Sequence, residues 1–259
     1  MDMGKILRAA LAAGLSVFAG TASAASPDGA DPQKRFIEAI SDAAVPTPAK
    51  IDDHLIPIRR DNTALRWEND SPDARVKVVS WMSEDAFQRY YSQPEDLPAD
   101  KSAPPSWGTM MWVTAVPQVR DFCRALGTRD NAAITNRLLQ LIGLPPTGKN
   151  ARFVEMWVSP KDMMRPCPDR EVDDNRCEVD AASDVDDYRT WFTGNFAKSY
   201  SVSGAPWTRL GYTYDWAPAS DTANPQKPKG VSEFILRPGA PYTISGRFTT
   251  LEYCGRPAS

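Results

Sequence analysis

Four cysteines, Cys123, Cys167, Cys177 and Cys254, constrain this chain more than any other feature, because the N-terminus decides the chemistry they meet. Lys5 and Arg8 form a short basic stretch, diluted by Asp2, and Ala9 to Ala19 is apolar. Ala22-Ser23-Ala24 then supplies the small-x-small pattern after which a signal peptidase cuts. The apolar run is shorter than the roughly 18 residues a membrane span requires, and no cysteine stands beside the cleavage point to take a lipid. Residues 1–24 therefore read as a signal peptide, with the mature chain starting near Ala25 and the product periplasmic or secreted. Outside the reducing cytoplasm, an even number of thiols reads as disulfides. Several connectivities are open. Cys167 and Cys177 share one irregular segment, which favours that bridge and leaves Cys123–Cys254 as the second. In the chain-entropy account the short loop contributes about 3 kcal/mol and the long one about 5. A structural zinc site is the rival reading, but the spacings form no paired C-x-x-C units and His54 is the lone histidine. Neither a metal nor a cofactor is expected.

Charge narrows the partners. The chain has 30 Lys+Arg and 33 Asp+Glu, and loss of Lys5, Arg8 and Asp2 with the leader leaves it slightly more acidic. Nucleic-acid binding usually needs a basic stripe, so no nucleic-acid partner is expected. No later apolar run is long enough to span a bilayer. With 8 Trp, 8 Tyr and 9 Phe, the chain can bury a substantial core.

Local patterns place the elements. Residues 25–62 read as an N-terminal arm with a short helix, opened by Asp31-Pro32 and carrying Phe36, Ile37 and Ile40 on one face. Residues 63–259 read as a single domain, with a possible subdomain boundary near 200. Within it, 75–82 is β-branched and strand-like. Ser83-Glu84-Asp85 opens a helix with Phe87, Tyr90 and Tyr91, and Gln93 to Pro105 is a proline-rich loop. Trp107 to Val116 is the next strand. Helices follow from Pro117 to Gly127 and over about 130–142, where Val119, Phe122, Cys123 and Leu126, then Ile134, Leu138, Leu141 and Ile142, recur at helical spacing. Arg152 to Val158 is a strand. Ser159-Pro160-Lys161-Asp162 and Ser183 to Asp186 both match capping boxes, the second opening a helix with Tyr188, Trp191, Phe192 and Phe196. Trp207–Trp216, Val231–Arg237 and Tyr242–Cys254 read as strands. The fold class is thus α+β: mixed helices and strands in the first two thirds, an antiparallel sheet in the C-terminal third, and disulfides across it.

Few chemical motifs are present. His54 follows Asp52-Asp53, the surroundings of a surface histidine, and no G-x-S-x-G elbow, H-E-x-x-H, P-loop or G-x-G-x-x-G occurs. Asp169, Glu171, Asp173, Asp174, Glu178, Asp180, Asp184, Asp186 and Asp187 form an acidic run without EF-hand order, which favours a solvated loop over a calcium site. Trp207–Trp216 stands out. As a strand it puts Leu210, Tyr212, Tyr214 and Trp216 on one face, and Arg209, Thr213 and Asp215 on the other with Trp207 and Gly211. Aromatic planes beside Arg209 and Asp215 suit a sugar or another polar ring; the competing reading is a half-buried strand whose aromatics are core. Asp215 and Glu233 flank one loop and form the candidate carboxylate pair of a glycosidase, should the strand register put them on one face. The candidate ligand-binding residues are Arg209, Tyr212, Tyr214, Asp215, Trp216 and Glu233. The expected function is an exported soluble binding or interaction protein, its partner a small molecule, glycan or envelope protein. The alternative is a carboxylate-based hydrolase acting on glycans or cell-wall material.

Overall fold

A computed structural model describes residues 31–179, 186–201 and 203–255. The expected signal peptide, residues 1–24, and the expected capping residue Ser183 lie outside the described residues. In chain order the elements are α1 (Pro32–Ala43), β1 (Val76–Ser83), α2 (Glu84–Tyr90), β2 (Ala99–Ser102), β3 (Trp112–Ala115), α3 (Gln118–Ala125), α4 (Asn131–Leu141), β4 (Asn150–Val158), β5 (Met163–Met164), α5 (Asp186–Ser199), β6 (Tyr212–Tyr214), β7 (Lys229–Ser232), β8 (Phe234–Leu236), β9 (Pro241–Thr249) and α6 (Thr250–Cys254). The class is α+β, and both expected disulfides, Cys123–Cys254 and Cys167–Cys177, are formed. No helix among the described residues is long and apolar enough to cross a membrane.

Seven strands make one antiparallel sheet in the order β2-β9-β4-β1-β3-β8-β5, and β6 pairs with β7 beside it. Strands from early and late parts of the chain therefore alternate within a single sheet. Because side chains alternate along a strand, each face has its own core. Val76 and Val78, Val113 and Ala115, Val154 and Met156, and Phe234 and Leu236 point to one face, which Ile58 of the arm, Leu65 just after it and Phe87 of α2 cover. Val79 and Phe153 point to the other, which α3, α4 and α6 cover through Val119, Leu138 and Tyr253. Further along that second face, Ile235 and Met164 meet Tyr188 and Trp191 of α5 and Trp207.

The helix starts follow their local chemistry. Asp31, Ser83 and Asp130 each accept a hydrogen bond from a first-turn backbone N–H, satisfying donors that a helix leaves unpaired. Several stretches depart from the sequence expectation. Within Gln93 to Pro105, read as a loop, Ala99–Ser102 forms β2 against β9. The short helical turn expected after Ser159 is present as the 3₁₀ turn Pro160–Asp162, but the Ser159 side chain does not cap it. The strand expected over 107–116 is confined to Trp112–Ala115. The run 242–254 is strand only to Thr249, where a capping box between Thr249 and Glu252 turns it into α6.

The departure over Trp207–Trp216 decides the candidate strip. Of Trp207–Trp216 only Tyr212–Tyr214 is strand, because Arg209 (φ 59°) and Gly211 (φ 76°) adopt left-handed backbone. Gly211 has a second reason to lack a side chain: a Cβ there would stand 2.8 Å from both Arg165 Cδ and Leu55 Cδ1. The strict alternation of faces expected for this segment does not apply across the two turns. The run 231–237 is likewise split, into β7 and β8, with Glu233 at the junction.

Candidate functional site

The main cavity arises from a parting of the sheet. β1 pairs with β4 along its whole length but with β3 only at Val78–Ala115 and Val79–Thr114. Beyond those two pairs the strands separate. Ser80, Trp81 and Met82 of β1, with Met111, Trp112 and Val113, line a cavity of about 1620 Å³ between them. Further walls come from the loop after β2, the end of α5, residues 142–145 and residues 204–207. Aromatic side chains dominate its surface, among them Trp81, Trp112, Trp207, Tyr90, Tyr91 and Tyr242.

These rings are held firmly. Trp81 stacks on Phe153 at 5.5 Å and its indole N–H donates to Thr250 Oγ1 at 3.1 Å. The Trp207 indole N–H donates to the Pro166 carbonyl at 3.2 Å, and its ring meets Trp112 edge-on at 6.4 Å. Trp112 remains 36% exposed, so one large ring is presented to solvent at the cavity. Rigid aromatic walls with few polar groups are the usual make-up of a small-molecule site.

Glu233 is the single carboxylate on this lining; the other charged lining residues are Lys101 and Lys198. It is only 7% exposed. The register Val113–Phe234 and Trp112–Ile235, continued by one residue, sets Glu233 opposite Thr114, on the same face as Ile235 and the Trp207 cluster. Its backbone N–H donates to the Gly211 carbonyl, but Oε1 is buried without a hydrogen-bond partner. Burial alone pushes its carboxyl well above the ordinary carboxylate range. Among the described residues the other buried acids have counter-ions: Glu155 is paired with Arg120 and Lys77, and Asp52 with Lys229.

Asp215 lies elsewhere. It lines a separate cavity of about 660 Å³ with Asp42, Trp216 and Asp221. Arg137 donates to both of its oxygens, at 3.1 and 2.7 Å, and Asn224 Nδ2 donates at 2.9 Å. Asp215 and Glu233 therefore do not converge in one cleft.

The other candidate residues make contacts within the chain itself. Arg209 donates to the Ala44 carbonyl at 2.7 Å and lies over the Phe196 ring at 4.5 Å. The Tyr212 hydroxyl donates to the Lys50 carbonyl, and that of Tyr214 to Asp42 Oδ2. Trp216 packs edge-on against Phe36 of α1 at 5.8 Å and donates to the Leu144 carbonyl. Together they fasten residues 31–51 to the body. Tyr214 and Glu233 are the two of the six that reach the main cavity.

The acidic segment is folded around Arg165, which is fully buried and donates to the carbonyls of Glu171, Val172, Asp174 and Ile56. Carboxylate oxygens of Asp169, Asp174 and Glu178 lie within 4.8 Å of one another, the donor type calcium takes. Burial and the neighbouring Glu178 push the Asp169 carboxyl up to about 8, while the hydrogen bond with Asp169 lowers Glu178. Arg165 stands 3.6 Å from Asp174.

Sequence reasoning placed Glu233 only as a partner for Asp215 and missed the aromatic cavity. One signal was available: a lone acid inside Val231-Ser232-Glu233-Phe234-Ile235-Leu236, an otherwise apolar β-run. The parting of β1 from β3 left no mark in residue type. Comparison with known proteins finds no match, since no family model fits the chain and no curated protein or solved structure is significantly similar to it.

Proposed function

We propose that this is an exported, soluble binding protein whose cleft between β1 and β3 takes a small, ring-bearing and largely apolar ligand. The observation that carries this reading is the composition of the cleft: preset Trp and Tyr walls with one carboxyl group among them. The two disulfides suit life in an oxidising compartment, and the N-terminal basic, apolar and Ala-Ser-Ala succession supplies the route there. The raised pKa of Glu233 is the one feature that also favours the hydrolase reading, as a proton donor. A glycosidase of the usual kind needs a second carboxylate about 5–10 Å away, and the described lining offers none.

The test is titration of the purified protein with N-phenyl-1-naphthylamine, an apolar ring compound uncharged at neutral pH, followed by its own fluorescence. Saturable binding is expected, weakened by Trp112→Ala, whose half-exposed ring makes the substitution cheap in stability. Absence of saturable binding, or binding indifferent to Trp112→Ala, overturns the cleft as the site.

A further inference from the structure

Glu233 is a buried acid for which the described residues provide no counter-charge. Burying a carboxyl group is costly unless it is paired and hydrogen-bonded, yet here one oxygen is sealed off without a partner. The group borders the cavity beside the Trp207 cluster. The other buried acids show what this fold does with a carboxylate it keeps for structure: Asp215 receives Arg137, and Glu155 receives Arg120. Leaving Glu233 unanswered at the wall of an aromatic cavity is a different arrangement. Indole and phenol faces attract cations through their ring quadrupole, and Trp112, Trp207 and Trp81 stand on the same lining.

We propose that the cleft recognises an organic cation, a ring-bearing ligand with a protonated amine, whose ammonium pairs with Glu233 while its apolar part lies against the tryptophans. This rests on the cleft being the binding site and adds the chemical class of its occupant. The Glu233 carboxyl is already out of water in the folded protein, so binding costs the hydration of the ammonium and the ionisation of the buried acid. Aromatic faces replace part of that hydration.

A proton balance follows. Without ligand, burial disfavours the charged carboxylate of Glu233 and favours its neutral acid form. An adjacent ammonium favours the carboxylate, so the acid proton leaves to solvent as the amine binds. The titratable groups around it do not interfere. The phenols of Tyr188, Tyr200 and Tyr212 sense the Glu233 charge, and burial raises all three, Tyr200 to about 12. Lys101 and Lys198 reach the cleft, Lys198 with its side chain exposed, and their charges are screened by salt over about 10 Å.

The experiment is calorimetric titration with 2-(1-naphthyl)ethylamine, charged at neutral pH, and with its uncharged isostere 2-(1-naphthyl)ethanol. The amine is expected to bind about tenfold more tightly or better. Its binding heat should differ between phosphate and Tris, which take up the released proton with different enthalpies. Raising the pH from about 5 to about 8 should strengthen amine binding and leave the alcohol unchanged. Glu233→Gln should bring the two ligands to similar affinity and remove the buffer dependence; wild-type pH dependence keeps the test decisive should that variant misfold. Equal affinities in wild type, both weakened by Trp112→Ala, overturn the cation and leave the cleft standing. Failure of both ligands to bind overturns the cleft with it.

Discussion

Glu233 is where single-residue chemistry departs furthest from its ordinary behaviour. Folding raises its pKa above the usual 4.5, so the folded chain holds this proton more tightly than the unfolded one. The sign follows: the stability from that proton is fully present below about pH 4.5 and is lost as pH rises towards the raised folded value. The slope is at most about 1.4 kcal/mol per pH unit. Glu233→Gln should therefore melt like wild type near pH 4 and increasingly above it as pH climbs, checked by thermal scans of both proteins across that range. Arg137 and Asp215 present the opposite case, a buried pair with both charges answered. Asp215→Ala should cost about 3 kcal/mol in urea unfolding, the low end for a broken buried pair, because Asp221 still stands 3.2 Å from Arg137. At this scale the sequence was informative about residue type and silent about company. It marked Asp215 and Glu233 as candidates, but the Arg137 side chain that claims Asp215 comes from a helix 78 residues away.

Elements with local signals were legible, and those governed by distant contacts were not. The starts of α1, α2 and α4 could be read because Asp31, Ser83 and Asp130 cap their own backbone. The capping box at Thr249 and Glu252 was equally readable, yet the apolar character of Tyr253 and Cys254 disguised it as continuing strand. The turn at Arg209 had no such mark, since nothing in an arginine announces a positive φ. That turn converts a presumed recognition strand into a fastening strip for α1. Trp216 is 5% exposed and packs with Phe36, Ala39, Ile40 and Leu139, so Trp216→Ala should cost about 3–5 kcal/mol. A double-mutant cycle with Phe36→Ala, read by denaturant unfolding, should show about 0.5–1.5 kcal/mol of coupling from the edge-on pair. Additive losses would mean that α1 does not rest on that ring in solution.

For the whole molecule, covalent and topological ties matter more than any one contact. Cys123–Cys254 joins α3 to α6 across 131 residues, whereas Cys167–Cys177 closes a loop of 10. Replacing the first pair by alanines should cost about 5 kcal/mol and the second about 3, an order that guanidinium unfolding can establish. Peptide mapping without reductant should find no free thiol, and N-terminal sequencing of protein from its native cell should begin within a few residues of Ala25. Retention of Met1 on a cytoplasmic product would remove the export reading. The strand order has a consequence for assembly. β9 lies between β2 and β4, and β8 between β3 and β5, so both flanks of the sheet are keyed by residues after 233. A chain emerging from its N-terminus therefore cannot close the sheet progressively. Until β9 arrives, β4 has a bare edge carrying Val154, Met156 and Val158, a template for pairing with another chain. Such long-range closure is slow. The nascent protein must wait, half-paired and adhesive, for its last strand, which makes a holding chaperone more useful to this fold than a catalyst of any single step.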